Sequence, residues 1–142
     1  MSIVGVKILF KNKIMNKILI GICAFVSGVS KAVADTWLTH FSISIFSKYS
    51  KYSFCGEFSW ARKYSNYETL TGSAFLFSKT LLVAFTDIWH LANMIELMTL
   101  ICVLYVSSIS ALTRKQTVIL IICFLVIRDV SFHLFYTYFL IQ

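Results

Sequence analysis

Polar and apolar positions are sorted along this chain of 142 residues into long, nearly uniform blocks. From Leu91 to Gln142 there are five charged side chains, and two of them, Arg114 and Lys115, are adjacent. On either side run Leu91–Leu112 and Thr117–Ile141, each about the 20 residues needed to cross a hydrocarbon core about 30 Å thick. The pattern predicts two membrane helices joined by a tight basic turn. Upstream, residues 70–90 have a different period. With Lys79 as the origin and 3.6 residues per turn, Thr80, Asp87 and His90 fall within about 100° of it. Phe77, Leu81, Phe85 and Ile88 occupy the opposite arc, with Trp89 at the margin, which predicts an amphipathic helix with Lys79, Asp87 and His90 on its polar face. It suits the membrane interface. As a span it would carry Lys79 at its centre, at a cost of roughly 3 kcal/mol. Phe41–Ile45 alternates with period two, a strand-like signal too short to stand alone.

Composition agrees with the pattern. Mean hydropathy is +0.80, and the chain is 58% hydrophobic and 13% charged, against roughly 25% charged in soluble domains. A small soluble domain would need a larger polar shell than these residues supply. There is no proline, so nothing in the sequence breaks a long helix. The expected architecture is all-α.

The net charge of +7 changes little once it is located. Lys7, Lys11, Lys13, Lys17 and Lys31 lie in the first 31 residues, where there is no acid; beyond Ala34, eight basic residues face six acidic ones. A phosphate-binding protein needs a basic face on a folded domain, so nucleic acid is not expected as a partner. Instead, Lys11, Lys13 and Lys17 precede the apolar stretch Ile18–Val29, and Ala32-Val33-Ala34 supplies a small-x-small pattern before Asp35. Residues 1–34 read as a signal peptide cleaved after Ala34, or as an uncleaved signal-anchor, Ile18–Val33, with Ala24 and Gly28 as a packing face. Residues 35–69 then form an extracytoplasmic loop, and residues 70–142 the amphipathic helix plus hairpin. By the positive-inside rule an uncleaved N-terminus and the Arg114–Lys115 turn are cytoplasmic and the C-terminus extracytoplasmic.

Candidate chemistry is sparse. The tripeptide Lys-Tyr-Ser at 48–50, 51–53 and 63–65 interleaves cations with aromatics, as an interfacial belt or a headgroup-docking surface does. Cys23, Cys102 and Cys123 fall in apolar segments and only Cys55 faces an oxidising compartment, so no disulfide framework is expected. Phosphate loops, serine elbows and zinc helices have no counterpart. One constellation remains, inside the hairpin. Glu96 and His133 are equally far from the middle of the basic turn, which puts them at one depth in a regular antiparallel pair. Asp129 precedes His133 by four residues on the same helix face, and Arg128 adjoins it. Ionisable groups within membrane helices are costly and point to function or to pairing. Here the pairs are Glu96–His133 or Asp129–His133, with Arg128 neutralising Asp129 or Glu96.

These features lead to a small integral membrane protein that is not an enzyme, holds no cofactor or metal, and acts as an accessory or structural subunit. Its partners are the lipid bilayer and membrane proteins or further copies of itself. Two alternatives use the same residues: a holin-like pore or lesion former, motivated by the short chain and amphipathic segment, and a proton-relay or metal-binding protein using Glu96, Asp129 and His133.

Overall fold

A computed structural model describes residues 13–80, 82–110 and 112–142. Among them the regular structure is helical throughout. The long elements are α1 (Lys13–Thr39), α2 (Ile88–Ile109) and α3 (Arg114–Leu134), and α3 continues as a π-helical turn, Phe135–Leu140. All three are long and apolar enough to cross a membrane. Lys11 of the expected n-region, and Leu81 of the expected apolar arc, lie outside the described residues.

The helix ends follow local chemistry. Asp87 caps α2, its carboxylate accepting from the backbone N–H of His90 at 2.9 Å. The helix therefore begins three residues before the expected Leu91. Thr113 and Gln116 form a reciprocal capping box at the start of α3, each side chain accepting from the other's backbone N–H. Arg114 and Lys115 are thus the first residues of a helix rather than the turn itself. α1 runs unbroken through Ala32, Ala34 and Asp35, six residues past the expected limit at Val33.

The amphipathic helix expected over residues 70–90 does not form; among the described residues of this stretch only Ile88–His90 are α-helical. Leu70, Gly72 and Phe77 have positive φ values of 54°, 69° and 61°, which an α-helix cannot contain. Tertiary hydrogen bonds hold the segment instead: Ala74 N–H donates to Lys63 O at 3.1 Å and Ser78 Oγ to the same oxygen at 2.8 Å. The aspartate counted on a polar face is a helix cap. The strand-like Phe41–Ile45 is likewise resolved into two 3-10 turns, Phe41–Ile43 and Ile45–Lys48, separated by Ser44. Ser44 makes an isolated antiparallel bridge to Ile141, and Gln142 N–H donates to Ile43 O at 2.9 Å, which pins the C-terminus to this loop.

Packing is organised around α1. Both α2 and α3 lie along it, whereas α2 and α3 make few backbone approaches to each other. The apolar window of α1 is 44% buried, against 11% for each of the other two. Small side chains on α1 allow this. Ala24, Ser27 and Ala32 are fully buried, and a Cβ on Gly28 would collide with the backbone oxygen of Arg128 and the hydroxyl of Ser131. Close approach through small residues is how membrane helices gain van der Waals contact where lipid removes the hydrophobic drive. One apolar cluster, Ile20, Ala24, Val106 and Phe124, fills one end of the bundle. A second, Ala32, Trp37, Phe46 and Leu140, joins the other end to the loop.

Residues 40–87 cover that second end. Trp37 Nε1 donates to Gly56 O at 3.3 Å, and Ile88 N–H to Phe54 O at 3.0 Å. Gly56 is required there, since a Cβ would strike the carbonyl oxygen of Ser50. The interleaved cations and aromatics become cation–π contacts: Lys51 Nζ is 4.3 Å from the centre of the Phe58 ring, and Lys79 Nζ 4.7 Å from that of Tyr64.

Candidate functional site: a polar node joining three helices

Arg128 projects from α3 into the gap that α2 and α3 leave between them. Its Nη2 donates to Glu96 Oε1 on α2 at 2.5 Å, and its Nε donates to Ser27 Oγ on α1 at 3.2 Å. One guanidinium therefore contacts both other helices. Arginine suits this position because its planar fork offers several donors in fixed directions and keeps its charge. Ser27 is wholly buried, while the side chains of Glu96 and Arg128 are 16% and 30% exposed. In hydrocarbon an unpaired charge has no water to fall back on, so each member requires the others.

The Glu96–His133 pair expected from equal depth is not made. The equal-depth argument assumes that the hairpin helices face each other, but each faces α1. Rotation about the helix axes then brings Arg128, not His133, towards Glu96. Asp129 and His133 do pair, at 3.7 Å, on the outer surface of α3 with side chains 74% and 66% exposed. The expected cluster of four is thus two separate pairs. Among the described residues no group of three or more His, Cys, Asp or Glu is placed to hold a metal ion.

Two further polar contacts, not singled out by the sequence, tie α1 to its neighbours. At the end where α1 and α3 begin, Asn16 Nδ2 donates to Ser110 Oγ at 2.7 Å, and that hydroxyl donates to Val106 O. At the opposite end, His40 Nδ1 lies 2.7 Å from both the Tyr136 and Thr39 hydroxyls. The first could have been suspected from Asn16 lying in register with Ile20, Ala24 and Ser27. The second depends on the π-helical turn, which no sequence signal marks. Cys23 on α1 also meets the thiol of Cys102 on α2, and all four cysteines are free.

Asp87, Thr86 and His90 form a capping cluster beside the loop. The buried Asp87 carboxylate accepts from Thr86 Oγ1 at 2.9 Å and from His90 Nδ1 at 2.6 Å, in addition to the His90 backbone. Burial alone would raise the pKa of Asp87, but the hydrogen bonds from His90 and Thr86 outweigh it and hold the carboxyl below its usual range. Of the polar face expected on one helix, Asp87 and His90 are therefore joined, while Lys79 lies apart on Tyr64.

The open spaces are apolar grooves along the spans. One of about 250 Å³ lies between α1 and α3, lined by Ile20, Gly21, Ile119 and Cys123 with Lys17 and Gln116 at its margin. Another of about 290 Å³ separates α2 from α3, with Leu100, Leu104, Ile121 and Phe124 on its walls and Ile20 at its floor. Compared with family models, with curated proteins and with solved structures, the chain finds no match.

Proposed function

We propose that this chain is a three-span membrane protein serving as a non-enzymatic structural or accessory subunit of a membrane assembly, with α1 retained as its anchor. The observation that carries the proposal is the use made of the polar groups in the spans. Arg128, Glu96 and Ser27 satisfy one another across three helices, and Asn16 and Ser110 do the same nearer the end. These contacts fix how the helices sit rather than converge on a ligand. The node binds its members to one another, which supports a structural charge pair rather than a proton relay.

Retention of α1 is supported by its burial: without it α2 and α3 lose the surface on which both pack. In this reading the N-terminus is cytoplasmic, the loop after α1 and the C-terminus are extracytoplasmic, and the connection from α2 to α3 is cytoplasmic. Lys17, Arg114 and Lys115 all fall at the end marked by the Asn16–Ser110 bond. Cations on the first turn of α3 oppose the helix dipole by roughly 0.3–1 kcal/mol each, so their value there is topological.

Purification in mild detergent tests the function. The protein should elute with stoichiometric partner polypeptides or as a homo-oligomer. A monodisperse monomer with catalytic turnover would overturn the proposal.

A further inference from the structure

α1 carries two glycines, Gly21 and Gly28, with opposite surroundings. Gly28 lies against α3, where a Cβ would strike the backbone oxygen of Arg128 and the hydroxyl of Ser131. Gly21 is two turns earlier on the same face of the helix, yet a Cβ there would meet nothing within 4 Å among the described residues. α1 and α3 therefore touch at Gly28 and part towards the end where both begin. The space between them is the groove of about 250 Å³, walled by Gly21 on α1 and by Ile119, Cys123 and Ile127 on α3, with Lys17 and Gln116 at its margin. The contact at Gly28 closes its deep end. From residue 116 to residue 127 it runs about 16 Å, the depth of one leaflet in a core about 30 Å thick. Spread over that length, the volume leaves a channel a few ångströms wide. A hydrocarbon chain fits such a channel and a helix, about 10 Å across, does not.

The open end of the groove is cationic. Arg114 and Lys115 line a shallow hollow that shares Ile119 with it, and Lys17 faces them from α1. Among the described residues none of these three cations is ion-paired with a carboxylate. None is close at hand either: the chain has no acid before Asp35, and Glu96 and Asp129, the nearest along α2 and α3, are about 20 Å from this end. Gln116 adds a donor, because Thr113 N–H occupies its Oε1 at 3.1 Å and leaves the amide nitrogen to donate. We propose that this wedge binds one anionic glycerophospholipid, with an acyl chain between α1 and α3 and the phosphate held by Lys17, Gln116 and the Arg114–Lys115 pair. Both halves of the ligand are matched: a narrow apolar channel of leaflet depth for the tail, and unpaired cations at its mouth for the headgroup. Glycine weakens a helix interior relative to alanine, and at position 21 its missing side chain keeps the channel open. The site rests on the reading of the chain as membrane-spanning, and in the topology proposed above its lipid comes from the cytoplasmic leaflet.

Native mass spectrometry of the full chain in mild detergent tests it, with dioleoylphosphatidylglycerol and dioleoylphosphatidylcholine as the added lipids. The two share acyl chains and differ in headgroup charge. One phosphatidylglycerol should be retained at a several-fold lower lipid concentration than one phosphatidylcholine. Replacing Lys17→Gln and Lys115→Gln together should erase that preference. Gly21→Phe should lower retention of both lipids several-fold, since its ring enters a space where no neighbour stands. Exposed Lys48→Gln, in the loop after α1, and exposed Ile122→Phe, outside the groove on α3, should bind as the native chain does. Excess inorganic phosphate should leave the lipid in place, because it cannot fill the channel. Equal retention of the two lipids, a preference for phosphatidylcholine, displacement by phosphate, native binding by Gly21→Phe, or an equal loss from Lys48→Gln would overturn the proposal. The headgroup comparison uses the native chain, so it decides the matter even where a variant fails to fold. Carbonate extraction of membranes separates the two readings. A chain that stays with the membrane but shows no lipid preference loses only this site, whereas one that is released loses the spans as well.

Discussion

Arg128 shows how one side chain can decide the arrangement of a small membrane bundle. α2 and α3 make few backbone approaches to each other, and the guanidinium reaches across to Glu96 while Ser27 supports it from α1. A node of this kind costs more when broken than it gains when made. Glu96→Leu alone leaves a part-buried guanidinium without its partner, and Arg128→Leu alone a part-buried carboxylate. Each should lower stability by about 3 kcal/mol, near the lower bound for buried pairs because Arg128 keeps some exposure. The double variant should recover most of the loss, since leucine fills comparable space without a charge. Heating in mild detergent, followed by the fraction that still elutes as folded protein, measures all three. A double variant as unstable as the sum of the singles would show that the pair does not act as a unit. The ionisable residues were legible in the sequence as a set needing partners. Their pairing was not, because it depends on helix rotation, and rotation is set by where α1 sits.

At the scale of elements, the long apolar runs were readable because nothing but a membrane-spanning helix accommodates them. The structure keeps both hairpin helices to within a few residues. Residues 70–87 were misread because a 3.6-residue period can arise in a segment whose backbone is fixed by other bonds. Leu70 and Phe77 sit at positive φ, and Lys63 supplies the acceptor that holds residues 74 and 78. An aspartate directly before the run beginning at Ile88 was the overlooked signal, since a short acceptor side chain there caps a helix. The cap is also sensitive to pH. With the folded-state pKa of Asp87 held below its usual range by His90 and Thr86, its contribution is fully present above the ordinary aspartate value, about 4. It is lost as pH falls through the lower folded-state value. Between pH 6 and pH 3 the unfolding midpoint of the native protein should therefore drop further than that of Asp87→Asn. Asparagine still caps, at a cost of no more than about 1 kcal/mol, but it does not titrate. Equal drops in the two proteins would assign the acid sensitivity to other groups.

The whole molecule is defined by what its first helix is for. As a leader, α1 would be removed at Ala34, but Ala32 and Ala34 are 0% and 2% exposed, and the helix continues five residues beyond, to Thr39. Trp37, in that continuation, packs with Phe46 and Leu140 and reaches Gly56, tying the first helix to the loop and to the far end of α3. Cleavage would sever those links and strip Arg128 of Ser27. The mature protein should accordingly keep the mass of an uncleaved chain, and a fragment beginning at Asp35 would defeat the anchor assignment. With three spans retained, the proposed topology can be tested by cysteine labelling with a membrane-impermeant maleimide. Cys55 is a poor reporter: burial pushes its thiol up, and nearby Arg62 only partly opposes this, so little reactive thiolate is present. Exposed Lys48 is better placed. In a chain without native cysteines, Lys48→Cys should label from outside intact cells and Gln116→Cys only after the membrane is opened. The reverse pattern would invert the protein in the bilayer. Labelling of both positions from outside would place an even number of spans between them, and the single crossing by α2 would then be wrong.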